Sequence, residues 1–327
     1  MQNLTDTPYI KVDKLKKYFP VRKGLFKNVV GQVKAVDEVS FAMRRGETLG
    51  IVGESGCGKS TIGRTMIHLL EPTSGNVYFD GRDVGDMLQA DPKSLRRRLQ
   101  IIFQDPYGSL NPRLTVREIV GEGVKFHGLV QGKKDLDAYV CDILVKAGLL
   151  PEHRYRYPHE FSGGQRQRIC IARAIAVRPE VVVCDEPVSA LDVSIQSQVL
   201  NTLKDLQEQE GLTYLFITHD LSVVKFISDR VVIMYLGKMM ELAPTAEIFD
   251  NPLHPYAKAL LSSIPMPDPT RKTEQILLEG DIPSPVNPPS GCRFHTRCPQ
   301  AMEICAQKEP QMTEKGQGHS VACFLYE

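Results

Sequence analysis

The chain has almost no net charge, with 40 Lys and Arg against 39 Asp and Glu in 327 residues. A strongly attractive field for nucleic acid is therefore not indicated. It also lacks any apolar run near the roughly 18 residues that span a bilayer. The longest candidates, such as residues 231–236, are strand-sized. Residues 1–6 carry no charged segment followed by an apolar core, so the start does not read as a signal peptide. These absences point to the cytosol, where disulfides are rare. No two cysteines stand in the C-x₂-C spacing of zinc sites, and no heptad run of coiled-coil length occurs. Cys57, Cys141, Cys170 and Cys184 are scattered and read as ordinary buried thiols.

What is present begins with a glycine loop, Gly53-Glu54-Ser55-Gly56-Cys57-Gly58-Lys59-Ser60, of the form G-x-x-x-x-G-K-S. Leu49-Gly50-Ile51-Val52 before it predicts a buried strand, and apolar residues at 62, 66, 69 and 70 after it predict a helix. Strand, loop and helix start make a phosphate cradle, because glycines let successive N–H groups converge on an anion. Lys59 adds a point charge at the β/γ-phosphates, and Ser60 offers a hydroxyl to Mg²⁺. Thr61 follows and is counted with the cradle.

Residues 9–34 hold eight Lys or Arg against one acid, Asp13, which reads first as the solvated face of strands. Within this stretch Tyr18 or Phe19 offers a ring that could stack on a base. Residues 33–41 alternate as a half-buried strand does, and residues 76–79 form another short strand. Residues 101–103 read as a strand delivering Gln104 at its end. Helical segments are expected near 115–130 and 134–149. Ser162-Gly163-Gly164-Gln165 then opens a helix whose apolar face is Ile169, Ile171, Ala172, Ile175 and Ala176, giving a second helix N-terminus suited to an anion. The apolar run 181–184 ends in Asp185 and Glu186, with Asp192 six residues on. Strand 214–218 ends in His219. Ligand and reacting groups in parallel sheets sit at such C-terminal strand ends. Asp185 is therefore assigned to Mg²⁺, and Glu186 to orienting and polarising the attacking water.

Taken together these segments resemble the ATP-binding subunits of ABC transporters over roughly residues 9–245. Lys59 lies in the Walker A motif, Gln104 in the Q-loop, Ser162 to Gln165 in the signature and Asp185-Glu186 in Walker B. Ser189-Ala190-Leu191-Asp192 matches the D-loop and His219 the switch histidine. Phe161 stands where the family usually has Leu. Phe19 falls at the adenine-stacking position, with Tyr18 as the fallback.

The resemblance implies an α/β P-loop ATPase fold. It has a parallel-sheet core, an antiparallel β subdomain and a helical subdomain over about 105–165. It further implies Mg²⁺ held through Ser60, Gln104 and Asp185, and hydrolysis through Lys59, Glu186 and His219. Two such domains pair head to tail, so Ser162, Gly163, Gly164, Gln165 and Asp192 would act at the shared sites.

The tail narrows the resemblance. Residues 251–261, Asn-Pro-Leu-His-Pro-Tyr-Ala-Lys-Ala-Leu-Leu, look like the extension of dipeptide and oligopeptide importers. A linker with seven prolines in residues 265–290 reads as extended. Cys292, Cys298, Cys305 and Cys323 follow as C-x₅-C-x₆-C-x₁₇-C, and four clustered thiols in a cytosolic chain suit a metal. Spacing does not choose between Zn²⁺ and an iron–sulfur cluster; the resemblance favours [4Fe–4S], stapling a tail with little core of its own.

The expected division is an ATPase domain over 1–250, an extension and linker over 251–290 and a four-cysteine region over 291–327. The expected function is ATP hydrolysis driving peptide import. The partners are two membrane permeases, a second homologous ATPase favoured over an identical one, and an external peptide-binding protein. The expected location is the cytoplasmic face of the inner membrane, with no nucleic-acid partner. Service for another solute such as nickel, or a soluble ABC ATPase acting on ribosomes or DNA, are the alternatives.

Overall fold

The computed structural model describes residues 8–24, 28–264 and 275–327. Residues 1–6, Lys27 of the basic stretch and the first part of the proline linker lie outside the described residues. Two compact units emerge, and the chain passes between them several times.

One unit gathers Ile10–Met43, Thr48–Tyr78 and Thr218–Glu327. Its first element is a long antiparallel pair, Ile10–Lys23 with Asn28–Met43, with Phe19 opposite Val33 and Tyr18 opposite Lys34. The second strand is much longer than the alternation over 33–41 suggests, because its start is largely exposed and leaves no burial pattern in the sequence. Strand Thr48–Val52 is buried at every position and runs parallel to Arg230–Tyr235. Such continuous apolar runs are what strands covered on both faces require. Arg230–Tyr235 turns back into Lys238–Pro244. The tail then adds two short strands, with Ser320 opposite Leu242 and Val321 opposite Glu241, and Thr313–Glu314 outermost.

The core of this unit is aromatic. Tyr235, Tyr256 and Phe294 pack edge-to-face or tilted, with centroids 4.9, 5.3 and 5.2 Å apart. Cys292 and Cys305 belong to the same buried cluster as Val52 and Ile233. The tail thus shares the core of the strand that carries the glycine loop, where sequence reading gave it little core at all.

The other unit consists mainly of Phe79–Ile217 with Arg44–Glu47. Three parallel strands run in the order Thr213–Ile217, Val181–Asp185, Leu99–Ile102. Helices Val116–Phe126, Lys133–Lys146 and Gly163–Ile175 form its helical part. The first two are shorter than 115–130 and 134–149. His127 and Ala147 close them, with Gly128 and Gly148 at positive φ just beyond. Thr115 and Glu118 cap the first helix reciprocally. Among the described residues no helix is long and apolar enough to cross a membrane.

Candidate active site

The glycine loop is glycine where its neighbours leave no room. A Cβ on Gly53 would stand 2.2 Å from the Met234 carbonyl oxygen, and one on Gly58 2.0 Å from that of Ala35. Gly58 also has φ 107°, in the region that disfavours side chains. The loop is pressed between two strand backbones, and Gly237 N–H donates to the Cys57 carbonyl at 2.8 Å. Helix Lys59–Met66 starts directly from it. The Lys59 side chain is 4% exposed and folds back, its Nζ donating to the carbonyls of Gly53 at 2.7 Å and Glu54 at 3.0 Å. The ammonium is therefore held at the loop's centre by the loop itself. Ser55 and Gly56 are exposed; Ser60 and Thr61 are partly so. Cys57 is buried, and burial pushes its thiol up.

The hairpin separates the two candidate rings. The Tyr18 hydroxyl donates to Asp37, so that ring is engaged in the fold. Phe19 is half-buried and contacts only Lys17 among the described cations, at 5.2 Å from its centroid. His219 belongs to the cradle's unit as well. Thr218 N–H donates to the Ile51 carbonyl of the cradle strand at 3.2 Å, and Asp220 caps helix Leu221–Ile227. The exposed His219 is pinned between that strand bond and that cap.

In the other unit the strand-end carboxylates stand as the spacing implies. Asp185 is fully buried at the end of Val181–Asp185. Glu186 follows at φ 48°, a left-handed conformation rare for such a residue. Its N–H donates to the Ile217 carbonyl at 2.9 Å, and its own carbonyl accepts from the Ser189 hydroxyl at 3.1 Å. These bonds hold the backbone in that conformation and offset its strain. The Gln104 amide donates to Glu186 Oε2 at 2.9 Å, so these two predicted groups are brought together.

Ser162 and Gln165 form a capping box at the start of Gly163–Ile175. Gly164 has no space for a side chain: a Cβ would lie 2.2 Å from Ile195 Cγ2. Asp192 caps the neighbouring helix Val193–Glu210, accepting from Ile195 N–H at 3.0 Å and from the Ser194 hydroxyl at 2.7 Å. Those hydrogen bonds hold its carboxyl below the usual range. Phe161 is buried edge-on against His153 with centroids 5.2 Å apart, which accounts for a large ring in place of Leu.

The four tail cysteines lie within electrostatic reach of one another. Burial pushes the Cys292 thiol up to about 11, helped by Cys305, Cys323 and Cys298; burial also raises Cys298 and Cys323. Among the described residues, however, no three His, Cys, Asp or Glu are arranged so that they could hold a metal ion. The metal shell expected from the spacing is thus not preformed. Cys292 and Cys305 are instead packed in the buried apolar cluster, while Cys298 and Cys323 are only partly buried.

Sequence reading missed the groups that seat the extension. Glu241, fully buried, accepts from the N–H groups of Leu253 at 2.9 Å and His254 at 2.7 Å and faces His319 Nε2 at 2.7 Å. This fixes the start of helix Pro255–Ser262. Burial lowers His254 to about 3, so it is neutral and its Nδ1 accepts from Tyr256 N–H at 3.0 Å. Tyr256 in turn reaches the glycine loop, its hydroxyl accepting from Glu54 N–H at 3.0 Å. Only the His-Pro-Tyr order signalled this; Glu241 lies 12 or 13 residues from its backbone partners and 78 from His319.

The ABC transporter family matches residues 36–189, and the oligopeptide/dipeptide transporter C-terminal region matches 240–305. AppF, an oligopeptide transport ATP-binding protein of Bacillus subtilis, is 57% identical over 318 residues, covering 95% of each chain. The chain belongs to the ATP-binding subunits of oligopeptide and dipeptide ABC transporters. A putative peptide import ATP-binding protein of Brucella ovis is 51% identical, covering 98% of this chain and 99% of its own. Among solved structures, the ATP-binding cassette MJ0796, dimeric and bound to ADP and phosphate, superposes with a TM-score of 0.64 at 28% identity. It covers 72% of this chain and 98% of that one, so this family member carries the ABC ATPase fold and an additional tail.

Proposed function

We propose that this chain is the ATP-hydrolysing subunit that powers peptide import, working at the cytoplasmic face of the membrane. The observation that carries the reading is one contact. The Tyr256 hydroxyl of the importer-type extension sits on Glu54 of the phosphate cradle, joining both parts in one built structure.

In this reading Phe19 stacks on the adenine, and residues 53–61 with Lys59 hold the phosphates. Ser60, Gln104 and Asp185 would hold Mg²⁺ with hard oxygen donors of the type that ion takes, and the ion would supply charge neutralisation at the phosphates. Glu186 takes a proton from the attacking water, and His219 steadies the phosphate being lost. Ser162, Gly163, Gly164 and Gln165 with Asp192 act on the nucleotide of a second, homologous ATPase. Two permeases and an external peptide-binding protein complete the complex, and no nucleic acid takes part. The functional divisions at 250 and 290 are retained on this reading.

Uptake measured in cells lacking this subunit tests the proposal. The wild-type chain is expected to restore uptake of labelled di- and oligopeptides. Restored nickel uptake with no peptide uptake would transfer the role to another solute.

The same reading assigns Cys292, Cys298, Cys305 and Cys323 to a [4Fe–4S] cluster, with Zn²⁺ as the alternative occupant. Its support is the all-thiolate donor set. Protein purified without oxygen is expected to be brown and to contain iron and sulfide in equal amounts. Colourless protein with stoichiometric zinc would assign the site to that metal, and metal-free protein would remove the assignment.

A further inference from the structure

The tail touches the cradle's unit at points that carry no assigned role. Arg297 Nη1 lies 3.1 and 2.9 Å from the two carboxylate oxygens of Glu54. Glu54 N–H is held by Tyr256, and the Glu54 and Gly53 carbonyls hold Lys59 Nζ. Glu54, whose carbonyl helps position the lysine ammonium, is therefore itself held at its N–H by Tyr256 and at its carboxylate by a tail arginine.

A second arginine repeats the pattern. Arg293 is 5% exposed, ion-pairs with Asp37 and donates to the Leu236 carbonyl. The next residue, Gly237, donates to the Cys57 carbonyl inside the glycine loop at 2.8 Å, and Asp37 N–H donates back to the Gly237 carbonyl at 2.9 Å. Asp37 also receives the Tyr18 hydroxyl, beside Phe19. A third point is backbone only: Lys34 N–H donates to the Pro285 carbonyl at 3.1 Å. Tail docking alone requires only burial of Phe294, Cys292 and Cys305 in the shared core. It does not require two tail guanidiniums to end on the loop and on the turn that supports it.

We propose that Arg297 and Arg293 are positioning residues for the phosphate cradle, through which the tail sets the chain's affinity for nucleotide. This rests on reading residues 53–61 as the nucleotide site. Arg297 holds Glu54 by its carboxylate, so that the carbonyls beside it keep Lys59 ready for a phosphate. Arg293 holds the 236–237 turn against the loop's far side. Neither touches the nucleotide.

The experiment uses the full-length chain titrated with ADP by calorimetry. Arg297→Met is expected to weaken binding about tenfold, the usual size of losing one charged hydrogen bond. Arg297→Lys restores most of it, because a single nitrogen makes both contacts with Glu54. Glu54→Gln weakens binding similarly, and the double variant Glu54→Gln/Arg297→Met is no weaker than either single one, as residues acting through one contact require. In the assembled transporter, Arg297→Met raises the KM for ATP and leaves kcat near the parent value.

Binding within about twofold of the parent in Arg297→Met, losses that multiply in the double variant, or no rescue by Lys would overturn the proposal. Should Arg297→Met fail to fold, Glu54→Gln decides alone, since parent-like affinity there also overturns it. A parent chain that binds no ADP, or Lys59→Ala that binds as the parent does, sinks the nucleotide reading itself. Lost binding in Lys59→Ala with intact binding in Arg297→Met sinks only the role of the tail.

Discussion

Replacing Glu186 with Gln is expected to stop ATP turnover while ATP stays bound. The substitution changes little in the fold. Glutamine matches glutamate in size, and the backbone bonds that hold this residue at φ 48° do not use the carboxylate. The Gln104 amide can still donate to the remaining side-chain oxygen, as it does now to Oε2 at 2.9 Å. What disappears is the negative oxygen able to accept a proton from water. General-base contributions of this kind amount to about 10²–10⁴-fold in rate, and turnover should fall by that range. ATP affinity should not fall, because the cradle and Lys59 are untouched. Phosphate release and equilibrium ATP binding, measured on the same preparation, check both halves. With ATP bound and uncleaved, the paired ATPases should persist as a stable complex on a sizing column. Turnover near that of the parent would remove Glu186 as the base.

The parts of this site that were legible beforehand are those where backbone geometry dictates residue type. Gly53 and Gly58 face carbonyl oxygens at distances that admit no Cβ, so any chain with this loop must write glycine there. Asp185 and Glu186 stand where an all-apolar strand ends, and that transition is visible in a string of letters. The helix start at Ser162 was read in sequence, whereas the capping roles of Thr115 and Asp192 were seen only in the structure. The engagement of Tyr18 in the fold was not legible, because it depends on a hydroxyl meeting Asp37, 19 residues away. The tail's attachment was hidden for the same reason on a larger scale. Arg297 and Glu54 are 243 residues apart, and Arg293 and Asp37 are 256 apart. Two-residue strands such as Ser320–Val321 show no period at all, so the sequence carries no sign of them. The resemblance to known transporters supplied the paired-ATPase arrangement, which no residue of a single chain displays.

Lys59→Ala is expected to abolish tight ATP binding, and the structure says how to separate that loss from simple damage. Two things go with the side chain. The first is internal: Nζ no longer satisfies the Gly53 and Glu54 carbonyls, so the nucleotide-free chain should lose about 1–3 kcal/mol of stability, the usual cost of an unpaired buried acceptor. The second is functional: no buried cation remains at the centre of the loop to meet the phosphates. A ligand present at about 100 times its Kd stabilises a folded protein by roughly 2.7 kcal/mol. The parent should therefore melt higher when saturating Mg·ATP is added. The alanine variant should melt lower without nucleotide and gain almost nothing from it. A variant that starts lower but gains as much as the parent would show that Lys59 only packs the loop. That result would also detach the glycine cradle from phosphate binding, since Lys59 is the one buried cation the loop's own carbonyls hold at its centre.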